Sequence, residues 1–351
     1  MFCPLATWSH STARQTVAVR TAAAAASITA QLPPGRTFFD TLSAAQRTLH
    51  ECTRLVGPLT GPVPIGFVGY LGYEMKHATM PLSAPPPEHP HVEQADAEFA
   101  FAGAVLSLHH GTGKWTASAL VKLRSSVDAE KEEGSTDALS PLGFGLSEAE
   151  HVAWLGEVRA FFAAPPTAPT APLSEADKAA VLSALKPDLC ASAYQAAVEA
   201  ARALLIAGEA YELCLTTQFR APLPPVLSAA PGGDPYPLYL ALRAGNPAPY
   251  GAFFHLPLSD VAVLSSSPER FLSLDAGGRA EMRPIKGTVR RSSDPTEDER
   301  RRRALEADEK ERAENLMIVD LCRHDLLGVC GVASVEVPRL MVVESYETVH
   351  Q

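Results

Sequence analysis

The chain has 351 residues, 46% of them apolar and 20% charged, with 30 Lys plus Arg against 40 Asp plus Glu. That length and apolar share supply the core of one large or two ordinary domains and exclude whole-chain disorder. The net charge of −10 argues against a dedicated nucleic-acid binder and requires a local cation for any anionic ligand, and no apolar run reaches the roughly 18 residues of a membrane span.

Residues 1–39 contain no Asp or Glu and hold Arg14, Arg20, Arg36 and the run Ala22–Ala26. Such a start has the composition of an organelle transit peptide, and equally of a poorly ordered edge or an artificial start, so 1–36 is set apart. Phe39–Leu55 has helical spacing. Gly66–Lys76 reads G-x-x-G-x-x-G, which indicates close backbone packing rather than a nucleotide loop. Phe99–Leu108 and Trp115–Leu123 are predicted strands joined by a Gly-containing turn. Proline-rich Ser83–His91, Ala163–Pro172 and Pro222–Pro235, with acidic Asp128–Asp137, read as loops. They leave an N-terminal part at 37–125, a linker or insertion at 126–186, and a second part at 187–351. In the second part Tyr194–Ile206 is a predicted helix closed by Gly208. Tyr211–Phe219 is a predicted strand with Cys214 as a core thiol. Asn246–Phe254 is a proline turn entering a strand, Arg300–Leu321 a long helix, and Ala333–Val343 a strand. The mixture predicts α+β. The six cysteines form no C-x-x-C pair, so they read as buried thiols in a reducing compartment.

Two windows carry candidate chemistry. In Ser265–Thr288, Gly277-Gly278 between strand-like runs signals a hairpin. A turn centred there puts Glu269 opposite Lys286, with Cβ atoms about 5 Å apart. A carboxyl beside an amine is an acid/base or acid/nucleophile couple, or an ordinary cross-strand salt bridge. Pro268 and Pro284 weaken that register. In Asp308–Asp325, Glu311 and Glu314 share a helix face, while Leu316, Met317, Val319 and Leu321 are expected in the core. The pair suits Mg²⁺, or is a solvated acidic face balanced by Lys310 and Arg312. Arg300–Arg303, flanked by Glu297, Asp298, Glu299 and Glu306, is a mixed helix face rather than an RNA patch.

The motifs SPERF, RPIKGT, AENLMIVDLCRHD, ESYETVH, GYLGYE, YELCLTTQ and NPAPYGAF together resemble the chorismate-utilising enzymes related to anthranilate synthase component I. Among these the resemblance is to the plant- and alga-like aminodeoxychorismate synthases, and runs from about Phe38 to Gln351. It implies two packed antiparallel sheets with helices outside. It implies amination of chorismate to 4-amino-4-deoxychorismate, on the way to p-aminobenzoate and folate. Ammonia would come from a glutaminase domain or subunit, and the setting would be plastid or cytoplasm.

The PIKGT lysine marks this branch where the anthranilate and isochorismate enzymes resemble PIAGT. The resemblance makes Lys286 the nucleophile, neutral through desolvation, and Glu269 the general acid. It gives Glu314 and Glu311 to Mg²⁺, and Gly287, Thr288 and His350 to the substrate. Asn246, Pro247, Pro249 and Tyr250 would belong to an effector pocket or be structural. His324 replaces an asparagine of the family pattern. No cysteine has a glutaminase setting, and the family pattern continues past Gln351, so the expectation is a fragment, incomplete at the C-terminus, with negligible turnover. The rival readings are anthranilate synthase component I and an inactive chorismate-binding module.

Overall fold

The computed structural model describes residues 2–12, 14–21, 28–54, 56, 65–80, 95–122, 145–164, 173–223, 234–256 and 261–351. The predicted segments Ser83–His91 and Asp128–Asp137, the Ala22–Ala26 run and most of the other two proline-rich stretches lie outside the described residues. The chain forms two compact units, Met1–Ala168 with Phe254–Ala262, and Pro169–Phe253 with Val263–Gln351.

The first unit contains β1 (Phe2–Ser11), β2 (Thr16–Thr21), β3 (Ile28–Gln31), α1 (Phe38–Cys52), β4 (Gly66–Leu71), α2 (Lys76–Thr79), β5 (Ala97–His109), β6 (Lys114–Ala119) and α3 (Glu148–Ala163). The strands form one antiparallel sheet ordered β3-β2-β1-β5-β4. β4 pairs with Ala97–Ala102 of β5, and β6 with Ala104–His109. The region set apart as transit-like or poorly ordered is therefore corrected: it supplies three strands, and β1 pairs on both sides. Its acid-poor composition masks a period-2 pattern that buries Ala6, Trp8, His10, Val17 and Val19.

Thr37 starts α1 with a capping box closed by Asp40, and the helix buries Phe38 and Ala45. Phe38 stacks on His10 and Phe99, with ring centroids at 5.2 and 5.9 Å. Gly69 is required by close approach, since a Cβ there would lie 1.9 Å from the Glu98 carbonyl oxygen of β5. The glycine motif thus packs backbone on backbone. The 126–186 linker or insertion is corrected in part. Ser147 caps α3, whose Trp154 is buried with Ala104 and Leu146.

The second unit contains α4 (Glu175–Ala184), β7 (Lys186–Pro187), α5 (Ala191–Ile206), β8 (Phe219–Arg220), α6 (Tyr236–Gly245), β9 (Tyr250–Leu256), β10 (Val261–Ser267), β11 (Arg270–Leu274), β12 (Ala280–Arg283), β13 (Val289–Arg290), α7 (Pro295–Ala307), α8 (Glu309–Cys330) and β14 (Val349–His350), the ends of β9 and β10 being counted in the first. These strands pair two by two, β7–β8, β9–β10, β11–β12 and β13–β14.

Two predicted strands are corrected. Of Tyr211–Phe219 only Phe219 joins a ladder, and Ala333–Val343 is a short 3-10 turn followed by irregular chain. Alternation alone does not make a strand; a ladder partner is needed, and among the described residues neither Tyr211–Gln218 nor Ala333–Val343 has one. The long helix is two, α7 and α8. The chain breaks at Asp308 (φ −69°, ψ 114°), whose side chain caps α8 by accepting the Glu311 N–H at 3.0 Å. Leu316, Met317 and Leu321, expected in the core, are 50, 37 and 41% exposed. The buried-thiol reading also fails: Cys52, Cys190, Cys214 and Cys330 are exposed and Cys322 half-buried. The α+β class holds, and among the described residues no helix is long and apolar enough to cross a membrane.

Candidate active site

The site is built on the β11–β12 hairpin of the second unit. Asp275 organises its turn: the carboxylate accepts the N–H groups of Gly277 and Arg279 at 2.9 Å each, and the backbone exchanges bonds with Gly278 and Arg279. The loop is therefore three residues long rather than two. Leu274 pairs with Ala280, and a bulge between Arg270 and Ser273 shifts the register again, so Arg270 faces Arg283.

The expected Glu269–Lys286 pairing is corrected accordingly. Glu269 is exposed, and its Oε1 accepts the backbone N–H of Ile285 at 3.1 Å. The Lys286 ammonium instead donates to Glu212 Oε1 at 3.1 Å and lies 3.4 Å from Glu314 Oε1. All three side chains are half-buried. Glu212 was missed by sequence reasoning, which read YELCLTTQ for its alternation. The available signal was a carboxylate inside an otherwise apolar run. The hydrogen bond to Glu212, more than the opposing burial, holds the Lys286 amine above its ordinary pKa, with Glu314 adding to it. Lys286 is thus an ammonium in the free protein, where the sequence reading expected a neutral amine.

Gly287 follows with φ +75°, and a Cβ there would lie 3.1 Å from Glu311 Oε2 and 3.0 Å from Leu305 Cδ1. Glycine lets this turn lie against α7 and α8, which brings the Lys286 segment to the Glu311 face. Glu311 and Glu314 both approach one cation, the Lys310 ammonium, at 2.8 and 3.6 Å. Two carboxylates able to converge on one charge form a hard oxygen donor set that fits Mg²⁺, which commonly takes one or two protein carboxylates and fills its shell with water and substrate oxygens. Among the described residues no group of three or more metal-ligating side chains is assembled.

Thr288 Oγ1 accepts from the Gln351 side-chain amide at 3.1 Å. His350 pairs with Val289 in the β13–β14 ladder and is 2% exposed. Its Nε2 meets Asp298 Oδ1 at 3.1 Å and its Nδ1 the Ser345 hydroxyl at 2.8 Å. Asp298 also takes a two-pronged bond from Arg291 and the N–H of Ser292. Those partners, Arg291 first, hold its carboxyl well below the usual range. The expectation of His350 beside a substrate ring is corrected to a ring enclosed by structural partners.

Lys286 and Glu311 line a cavity of about 990 Å³ together with Pro249, Tyr250, Arg283 and Glu344. Arg283 and Glu344 form an ion pair there. Burial, reinforced by Glu344, pushes the Tyr346 hydroxyl on the same wall up to about 12. The expected effector segment is divided. Asn246 ends α6, donating its N–H to Leu242 at 2.8 Å and accepting from Ser266 through its carbonyl. Pro247 follows in irregular chain, and Pro249 and Tyr250 line the same cavity as Lys286.

The family described as chorismate binding enzyme matches residues 3–351. An aminodeoxychorismate synthase of Streptomyces pristinaespiralis is 39% identical over 324 residues, covering 91% of this chain and 39% of that protein. The chloroplastic aminodeoxychorismate synthase of Arabidopsis thaliana is 37% identical over 286 residues, 81% of this chain and 28% of that one. The chain thus spans well under half the length of these curated relatives. The crystal structure of anthranilate synthase component I from Streptococcus pneumoniae TIGR4 superposes with a TM-score of 0.62 at 21% identity, over 99% of this chain and 67% of that one. That likeness establishes the shared fold.

Proposed function

The chain belongs to the chorismate-binding enzymes, and from that premise we propose that it carries aminodeoxychorismate synthase chemistry, converting chorismate and ammonia to 4-amino-4-deoxychorismate. The observation that carries this reading is Lys286, a residue lining a cavity of about 990 Å³, a volume suited to a small ligand, with two carboxylates on its amine.

The Lys286 Nζ bonds to ring C2 of chorismate, the two ring double bonds shift, and the C4–O bond breaks. Glu269 gives the proton with which the hydroxyl leaves as water. Nζ must shed a proton for this step, which the partly exposed ammonium gives up to solvent. Ammonia then bonds to C4, the double bonds shift back, and the C2–N bond breaks to return the amine; Glu269 takes the ammonia proton. Gly287 and Thr288 fix the turn that presents Lys286. Glu311 and Glu314 would hold Mg²⁺, which supplies positive charge for a substrate carboxylate in a chain of net charge −10. The ammonia source is a glutaminase domain or subunit and the product feeds p-aminobenzoate and folate, as the family resemblance implies. The chloroplastic relative in Arabidopsis supports a plastid setting.

The test is to supply purified protein with chorismate, Mg²⁺ and ammonium and identify the product by chromatography and mass spectrometry. The expected product is 4-amino-4-deoxychorismate, in place of the negligible turnover expected from the sequence, and absent with Lys286→Ala. Anthranilate as the product overturns the reading in favour of anthranilate synthase component I.

A further inference from the structure

Glu212 has no place in the chemistry read from the motifs, yet it makes the shortest polar contact of the lysine amine, 3.1 Å against 3.4 Å for Glu314. It comes from the segment between α5 and β8, 74 positions from Lys286. Both side chains are three-quarters removed from solvent, at 27 and 23% exposure. Lys286 lines the cavity, and neither Glu212 nor Glu314 does. The amine is therefore tied to two carboxylates that do not line the cavity, while its own residue does.

The two ties differ. Glu314 also reaches Lys310 at 3.6 Å and is one of the two carboxylates suited to a divalent cation. A bound cation would compete with the lysine for its oxygens. Glu212 stands outside that pair. A lysine side chain has four rotatable bonds and about 2 kcal/mol of rotamer entropy, so an amine with no fixed partner samples many positions away from an attack geometry.

We infer that Glu212 is the positioning residue of Lys286, the carboxylate that keeps its amine at the cavity wall once Glu314 turns to a cation. This rests on the proposed lysine chemistry and adds to it the group that aims the nucleophile. A displacement of about 1 Å at a reacting atom can cost on the order of a hundredfold in rate. Glu212 does not touch the substrate, so its loss acts on the rate of C–N bond formation and leaves chorismate binding nearly intact.

Two measurements test it. Side-chain ¹⁵N NMR of the labelled protein, with the Lys286 ammonium signal identified by its loss in Lys286→Met, reads the anchor without substrate or metal. Glu212→Ala is expected to turn a restrained ammonium into a mobile one, and Glu212→Gln, which keeps an acceptor oxygen, to retain much of the restraint. Peptide mass spectrometry then follows the chorismate-minus-water adduct on Lys286 with Mg²⁺ and no ammonia. Glu212→Ala is expected to slow adduct formation roughly tenfold to a hundredfold with chorismate affinity within about twofold, and Glu212→Gln to recover most of the rate. An unchanged ammonium signal or an unchanged adduct rate in Glu212→Ala overturns the inference, as does Glu212→Gln performing no better than alanine. A restrained ammonium in the wild-type protein that forms no adduct overturns the lysine chemistry itself, and with it any catalytic use of the anchor.

Discussion

The Glu269 carboxylate accepts the backbone N–H of Ile285 at 3.1 Å. The proposed acid is thereby fastened to the residue preceding the proposed nucleophile, across the bulged end of the β11–β12 hairpin, rather than to the lysine amine. Glu269→Gln keeps an acceptor for that N–H but cannot deliver the leaving-group proton. The expected result is a loss of about 10²- to 10⁴-fold in turnover with a thermal midpoint close to wild type. Steady-state kinetics alongside circular-dichroism melting checks both; a Gln variant of near-normal rate would remove the acid role.

Gly287→Ala tests the turn. Left-handed backbone in a non-glycine residue costs roughly 1–3 kcal/mol. The added methyl would also press on Glu311 and Leu305 at 3.0–3.2 Å. Urea unfolding is expected to show a loss in that range. Mg²⁺ affinity, read by titration calorimetry, is expected to fall because Glu311 is displaced. Wild-type stability in the Ala variant would show that the turn relaxes freely.

His350→Ala separates a structural ring from a substrate-facing one. The ring is buried and both nitrogens are engaged. Its removal leaves Asp298 and Ser345 short of a partner, at a cost of about 1–3 kcal/mol. The expected signature is a lower unfolding midpoint with chorismate affinity changed less than a few-fold. A large loss of affinity at unchanged stability would restore the role read from the sequence motif.

The Arg291–Asp298 pair makes a pH-dependent contribution. Arg291 depresses the folded-state pKa of Asp298. The stabilisation is therefore fully present above the unfolded value of about 3.9 and is lost as pH falls through the folded one. Asp298→Asn is expected to melt below wild type at pH 7, with the gap narrowing steadily under about pH 4. A gap independent of pH from 7 to 3 would contradict the pairing.

The site was legible in sequence at the level of residue type, and less so in geometry. Lys286, Glu311 and Glu314 lie together as their motifs suggested, because Lys-Gly places a left-handed turn against a helix whose i,i+3 carboxylates share a face. The hairpin was recognised from Gly277-Gly278. Its register was not, since Asp275 accepts two N–H groups and lengthens the loop by one residue, and a bulge adds another shift. Glu212 stood out only as a carboxylate in an apolar run, and its partner could not be read because the contact is 74 residues away. In the first unit α1 was legible from apolar spacing. β1 was hidden under a composition that resembles a targeting segment, although its alternate residues are buried. Asp308 broke a helix that periodicity alone would continue.

Peptide mapping of the protein after incubation with chorismate and Mg²⁺, in the absence of ammonia, tests the lysine chemistry most directly. The expected result is a mass increase of chorismate less one water on the peptide containing Lys286, discharged by added ammonium and missing in Lys286→Ala. Formation of 4-amino-4-deoxychorismate at full rate by Lys286→Ala, with no modified lysine at any time, would contradict it.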